Sequence, residues 1–173
     1  MRRQCWLSWV LPIGLGGCGG PEQLPCEEQG GTELRRVSLG LGEVELSAEV
    51  ASTDDERATA WADRLCNLDG LLWVPDDIGP AAIPLCDVRV AVDLAFLREG
   101  EVVAIERERA PCSADCEDCP AYGEGGPEID AVLWVLSGSI EIATGDRVTG
   151  LEAVDLPDHA SGGSTGSGSD SSG

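Results

Sequence analysis

Apolar and polar residues alternate along several short stretches of the chain, and the period of each alternation decides which element that stretch can form. Val44, Leu46, Ala48 and Val50 interleave with Glu43, Glu45, Ser47 and Glu49, the period-two signature of a strand with one buried face. The period then changes. Thr53 and Glu56 stand in capping-box spacing, in which the hydroxyl accepts from an amide three residues on and the carboxylate accepts from the cap's own amide. Ala58, Trp61, Ala62 and Leu65 share one helical face, so the pattern predicts a short helix over about 54–66. Gly70 opens the apolar run Leu71–Val74, which Pro75 closes, as expected of a buried strand. Val88, Val90, Val92, Leu94 and Phe96 alternate again, and Arg98, Glu99 and Gly100 turn the chain into Val102, Val103 and Ile105; this reads as a hairpin. A further strand is expected from Ile129 to Leu136, ended by Ser137 and Gly138 and followed by a Gly145–Asp146 turn into Arg147 and Val148. Many strands, one helix and no strand–helix repeat predict a mainly β single domain. The expected form is an antiparallel sandwich or barrel carrying one short helix, and a parallel sheet is disfavoured.

The ends of the chain lack this periodicity. Arg2 and Arg3 precede the apolar stretch Cys5–Leu15, too short to span a bilayer and laid out like a secretory signal. Leu15, Gly16, Gly17 and Cys18 resemble a bacterial lipobox. The expectation is cleavage before Cys18 and lipidation of that residue, giving an exported lipoprotein held on the periplasmic or outer side of the cell envelope. Gly19, Gly20 and Pro21 begin a flexible tether, and the last thirteen residues are Ser or Gly at eleven positions. The expected organisation is a signal peptide over 1–17, a lipid-anchored linker over 18–33, the β domain over 34–155 and a disordered Gly/Ser-rich tail over 156–173.

Charge and composition narrow the chemistry. Lys and Arg together number 11, all of them Arg, against 32 Asp and Glu, a net charge of −21, which repels nucleic acid and the anionic face of a membrane. Contact with the membrane is therefore expected through acyl chains alone. The single histidine, His159, lies in the tail, so His-based triads and His-rich metal sites are excluded from the domain. Without lysine there is no Schiff base and no phosphate-loop Gly-Lys pair. Asp54, Asp55, Glu56, Asp76 and Asp77 form no calcium-loop pattern. Trp61, Trp73 and Trp134 sit in apolar surroundings that suit a core. No cofactor and no metal are called for.

The order of several small motifs then becomes informative: Glu49-Val50-Ala51, Glu56-Arg57, the strand opening at Gly70, Asp93 with Phe96, Asp130–Leu136, Gly138, and Gly145-Asp146 with Val148. Over roughly residues 36–150 this order resembles the bacterial and archaeal domain of unknown function 192. The resemblance implies a compact, mainly antiparallel β domain with a short helix and no established activity. By position, Arg57, Gly70, Asp93, Gly138 and Asp146 fall on its recurring residues, and Arg57 and Asp93 are the polar candidates for a binding or structural role. Asp93 lies on the strand face opposite Val92 and Leu94 and is expected to find backbone amides or an arginine and to serve the fold. The family's Phe-Trp-Met-Lys-Asn-Thr segment is absent; Ile83, Pro84, Leu85, Cys86, Asp87 and Val88 stand before Asp93 instead, and Trp134 takes a place where glutamate is common. A ligand surface built from those groups in relatives is rebuilt or lost here.

Six cysteines remain after Cys5 and Cys18: Cys26, Cys66, Cys86, Cys112, Cys116 and Cys119. An even number in an exported chain favours disulfides. Cys112, Cys116 and Cys119 also have an iron–sulfur spacing and, with Cys66 or Cys86, a possible four-thiolate zinc set, but an oxidising compartment works against both. The Cys116–Cys119 dithiol encloses two carboxylates that raise thiol pKa, contrary to redox catalysis. The resemblance adds that some exported members carry Pro-Cys and then Cys-Pro-x-Tyr in this loop, matched by Pro111-Cys112 and Cys119-Pro120-Ala121-Tyr122. It therefore implies a Cys112–Cys119 disulfide and leaves Cys26, Cys66, Cys86 and Cys116 unassigned. The functional expectation is a lipid-anchored, non-catalytic binding or accessory domain with no catalytic residue assigned, its partner an unidentified small ligand or envelope protein. The alternative is an envelope hydrolase or thiol-redox enzyme using carboxylates or the Cys112–Cys119 loop.

Overall fold

The structure, a computed structural model, describes residues 34–65, 67–112 and 116–157. Nine strands carry the chain: β1 (Arg36–Leu41), β2 (Val44–Ala51), β3 (Gly70–Trp73), β4 (Ile83–Pro84), β5 (Val92–Arg98), β6 (Glu101–Arg109), β7 (Ala121–Tyr122), β8 (Ala131–Leu136) and β9 (Val148–Thr149). One α-helix, α1 (Asp54–Thr59), lies between β2 and β3. Seven strands form one sheet in the order β6-β5-β8-β3-β2-β1-β9, and β4 and β7 form a separate small sheet. The fold is mainly β, a curled half-barrel with one helix.

Tight turns set the two long hairpins. Leu41 pairs with Val44, leaving two loop residues, and Gly42 at φ 61° takes the first of them, where a type II′ turn places glycine. Arg98 pairs with Glu101, and both intervening residues, Glu99 at φ 52° and Gly100 at φ 74°, have the positive φ of a type I′ turn.

The curl brings the ends of the sheet together. β9 pairs with β1 on one side, while the Val148 amide donates to Gly100 O at 2.8 Å and the Val102 amide to Asp146 O at 2.8 Å. The start of β6 and the approach to β9 are thus bonded to one another. Every strand of the large sheet contributes to the cluster enclosed by this curl, including Leu39, Ala48, Leu72, Leu97, Val102, Leu133 and Val148. A second cluster, containing Trp61, Leu71, Ile83, Val88, Leu94, Phe96, Ile129 and Trp134, packs on the opposite face of the central strands. β5 and β8 are consequently buried on both faces, which explains why Ala131–Leu136 is an uninterrupted apolar run rather than an alternating one.

Two expectations from the sequence are corrected. The sheet is not wholly antiparallel: β2 and β3 pair in parallel, because the connection through α1 is long enough for the crossover a parallel pair requires. The helix ends at Thr59 rather than near 66. Ala60 leaves the helical region at ψ 119°, and Trp61 and Asp63 both have φ 55°. Packing overrides the helical periodicity: Trp61 is 1% exposed and sets its ring edge-on to Trp134, 6.2 Å between centroids, while Ala62 bridges to Val88. The start of α1 follows its sequence signal. Thr53 Oγ1 accepts from the Glu56 amide at 3.3 Å, and the Glu56 carboxylate accepts from the amides of Ser52 and Thr53 at 2.9 and 3.0 Å. Those amides hold the Glu56 carboxyl below its ordinary pKa.

Candidate functional site

Asp93, the second residue of β5, lies on the enclosed face, the face of Ala95 and Leu97, and is 3% exposed. Its surroundings explain why an acid stands there. The β5–β6 register shifts between Val92 and Leu94, and Glu108, opposite the shift, has φ 53°. This is a β-bulge, whose extra residue turns its amide out of the ladder. Asp93 Oδ1 accepts from the Glu108 amide at 2.7 Å and from Ser137 Oγ at 3.0 Å, and Oδ2 accepts from the Gly138 amide at 3.3 Å. The Arg107 guanidinium stands 4.0 Å away. Burial pushes this carboxyl's pKa up, but the amides of Glu108 and Gly138, the Ser137 hydroxyl and Arg107 outweigh it and hold it below the ordinary value. Asp93 ties the bulge in β6 to the turn after β8.

Arg57, on α1, is occupied in the same way. Its Nη1 donates to Ser52 O at 2.9 Å and Val74 O at 2.8 Å, and its Nη2 donates to Asp54 Oδ1 and, at 2.8 Å, to Asp76 Oδ2. The guanidinium also lies over Trp73, 5.7 Å from the ring centroid. Burial opposes the guanidinium charge, and the two carboxylates more than compensate, leaving its pKa above the ordinary arginine value. Arg57 joins α1 to the end of β3. Arg57 and Asp93 are not brought into one site: each braces a different junction.

Periodicity also conceals a third polar group. Glu49 occupies a polar position of the β2 alternation, yet it is 0% exposed. Arg64 reaches it with Nη1 at 2.6 Å from Oε2 and Nη2 at 3.0 Å from Oε1, and Arg36 Nη2 adds a bond at 2.9 Å to Oε1. The segment after α1 is pinned to β2 by this ion triad, in which Glu49 and Arg64 are buried and Arg36 reaches in from the surface. The one available signal is that Arg64 interrupts the helical stripe between Trp61 and Leu65.

The cysteines of the loop before β8 form two crosslinks. Cys112 and Cys119 are joined with Cα atoms 5.8 Å apart, and Cys86 and Cys116 with Cα atoms 5.2 Å apart. Cys86 and Cys112 are also bridge partners, so the two disulfides lie side by side next to the small β4–β7 sheet. Among the described residues no group of three or more His, Cys, Asp or Glu is placed to hold a metal ion. Cys18, Cys26 and Cys66 lie outside the described residues.

Between α1, β3, β4 and β8 lies a cavity of about 240 Å³. Ala58 and Ala60, Ile83 and Pro84, Val88, the aromatic side chains of Trp73 and Trp134, the Cys86 and Cys116 pair and Arg57 line it. Its walls are mainly apolar. A larger and more open hollow of about 480 Å³ lies at the closure of the curl, beside Glu99, Asp130, Glu152 and Asp155. Asp130 there accepts from the Glu99 amide at 2.6 Å, another carboxylate engaged in holding a turn. The first cavity is the more enclosed and the one whose walls the outer layer builds, and it is the candidate site. Its chemistry is that of apolar and aromatic contact beside a guanidinium already engaged with four acceptors, which suits binding rather than proton transfer.

The model of domain of unknown function 192, described as an uncharacterized ACR, matches residues 37–150. The chain belongs to this family. Two solved structures share the fold of this member of domain of unknown function 192. A candidate transcription regulator from Sinorhizobium meliloti 1021 is 19% identical, with a TM-score of 0.59 over 70% of this chain and 98% of that one. A protein of unknown function from Novosphingobium aromaticivorans DSM 12444 is 21% identical, with a TM-score of 0.55 over 66% of this chain and 85% of that one. No functionally curated protein matches the sequence.

Proposed function

We propose that this member of domain of unknown function 192 is an exported, lipid-anchored cell-envelope protein whose β domain binds a ligand without transforming it. One observation carries the binding half of this reading. The polar side chains that recur in the family pattern are already engaged, Asp93 with backbone amides at the β6 bulge and Arg57 with carbonyls and carboxylates between α1 and β3, whereas the cavity that Arg57 borders, on the sheet face opposite Asp93, is otherwise lined mainly by aromatic and apolar groups. An enzyme concentrates converging, reactive polar groups at its pocket; a binding domain needs a shaped apolar surface with a few orienting contacts. The anchoring half rests on Arg2, Arg3, the apolar stretch Cys5–Leu15 and Leu15-Gly16-Gly17-Cys18. A net charge of −21 argues against DNA as the ligand, whatever the role of the Sinorhizobium protein.

The test is intact mass of the protein extracted from membranes, before and after reduction, for the native chain and for Cys18→Ser. The native chain is expected to begin at a lipidated Cys18 and to gain mass on reduction by an even number of hydrogens; Cys18→Ser is expected to remain unprocessed and to leave the membrane fraction. Unchanged processing and fractionation of Cys18→Ser would refute anchoring. Catalytic turnover of a compound that occupies the cavity would refute the non-catalytic reading.

A further inference from the structure

We infer that the cavity between α1, β4 and β8 is a site for an uncharged planar molecule of about one substituted aromatic ring carrying a hydrogen-bond acceptor; this rests on the binding reading above and names its ligand class. Size is the first argument. The volume is about 240 Å³, and a dry apolar cavity of roughly 150 Å³ already accepts benzene. A single ring with a short substituent fits, whereas a peptide or a nucleotide does not.

Charge is the second. Among the described residues the one cationic group in the wall is Arg57, and it is engaged with Asp54 and Asp76 while it lies over Trp73. That pairing leaves no free positive charge to offset the desolvation of an anion, and because Asp54 and Asp76 are exposed and outside the cavity wall, no described carboxylate lines it to receive a cation. A neutral ligand avoids both costs. The third argument is polarity. Trp134 lines the cavity and is 2% exposed, and its Nε1–H has no acceptor among the described residues; the neighbouring Trp61 Nε1–H, at 1% exposure, likewise has none among them. Buried indole N–H groups ordinarily find a partner. A carbonyl on the ligand supplies it, and the Trp73 side chain in the wall adds aromatic contact.

The test uses the full chain carrying Cys18→Ser, ¹⁵N-labelled at tryptophan, and three probes of one shape and different charge: benzamide, benzoate and benzylammonium. Benzamide is expected to move the Trp134 indole N–H resonance saturably, with the two charged probes at least about tenfold weaker. Ala58→Phe places a ring at the cavity mouth from an exposed helical position and is expected to abolish the saturable shift while leaving the melting temperature unchanged. Trp134→Phe keeps an aromatic ring but removes the donor and its resonance, so it is read at the Trp73 indole N–H, which also lines the cavity; there benzamide and toluene, added as a fourth probe without an acceptor, are expected to bind equally, whereas the native chain prefers benzamide. No saturable shift with benzamide, an equal response in Ala58→Phe, or preferred binding of either charged probe overturns the assignment. The two readings fail separately: conversion of benzamide to benzoate and ammonia in the same tube would sink the non-catalytic reading and leave the site in place, while absence of binding would sink the site and leave the lipoprotein reading untouched.

Discussion

Asp93→Ala removes the acceptor that holds the β6 bulge against the turn after β8, and its cost can be worked from three contacts. The 2.7 Å bond from the Glu108 amide is short and charge-assisted, and the bonds from Ser137 Oγ and the Gly138 amide are longer, at 3.0 and 3.3 Å. A hydrogen bond to a charged group contributes about 1.5–3 kcal/mol and a neutral or weakened one about 0.5–1.5 kcal/mol. Glu108 and Gly138 are exposed residues, so after truncation water reaches part of what the carboxylate held. The net loss is therefore about 2–3 kcal/mol at pH 7, below the simple sum of the three bonds. For a domain of this size that corresponds to a fall in Tm of roughly 8–12 °C. Asp93→Asn is no substitute, because one of its two acceptor positions becomes an NH₂ facing an N–H or hydroxyl donor. The pH dependence gives an independent sign. The folded carboxyl titrates below its ordinary value, so the stabilisation is fully present above an unfolded pKa of about 3.9. It is lost as pH falls through the lower folded value. Urea unfolding followed by tryptophan fluorescence from pH 7 to pH 2.5 should show a gap between the native chain and Asp93→Asn that is constant down to about pH 5 and closes below about pH 4. A gap under about 0.5 kcal/mol at pH 7, or one that widens with acidification, would refute the bracing role.

Other outcomes follow from the same accounting. Arg64→Leu leaves Glu49 buried with only Arg36 as an ionic partner, and chemical unfolding is expected to register a loss of about 3–5 kcal/mol. A matched loss for Glu49→Leu paired with Arg64→Leu, instead of a smaller one, would show that the charge left behind is not the cause. Removing the Cys112–Cys119 crosslink by paired Ser substitutions is expected to cost about 2.5 kcal/mol from loop entropy, with non-reducing peptide mapping confirming that Cys86 and Cys116 remain linked. Gly150, at φ 85°, has Ser38 O 2.3 Å from where a Cβ would stand; Gly150→Ala is expected to loosen the β1–β9 contact and accelerate amide exchange at Val148 before other strands.

What the sequence revealed and what it concealed divide along one physical line. Where a strand has one wet face the alternation is legible, as over Glu45 to Ala48 of β2; in the β5–β6 hairpin, where β5 is buried on both faces, the Glu99-Gly100 turn is the legible signal. The capping box at Thr53 and Glu56 is equally local, and the structure keeps it. β1 carries a weaker form of the same signal: Val37, Leu39 and Leu41 alternate with Arg36, Ser38 and Gly40, but the stretch is short and its arginines and glycine resemble the linker before it. The helix end was not legible, since Trp61 and Leu65 fit a helical face and only the pull of the outer cluster on Trp61 breaks the pattern. The parallel β2–β3 pair has no local signature at all, because pairing direction is set by where the crossover returns the chain. Glu49 shows the sharpest limit. In the alternation it reads as a solvated face, and its burial becomes possible only because Arg64 and Arg36 arrive from elsewhere in the fold.

That last case bears on where function can lie in this molecule. A chain with 32 acids must put nearly all of them in water, and the four polar residues buried among the described ones, Glu49, Arg64, Asp93 and Asp130, are each engaged in holding backbone or one another. The enclosed cluster is bounded by the strands of the large sheet and by the 145–148 segment, and the hollow at the closure of the curl reaches only its rim at Val148, Leu151 and Val154. The outer cluster is different. It is covered by a six-residue helix, a two-stranded sheet and a crosslinked loop, elements too short to pack flush against the strands they cover, and the 240 Å³ cavity is what their covering leaves open. The crosslinks Cys86–Cys116 and Cys112–Cys119 join parts of that cover without filling the space beneath it, so a ligand of the proposed class would meet walls already tied together and would incur less ordering cost than in an uncrosslinked loop.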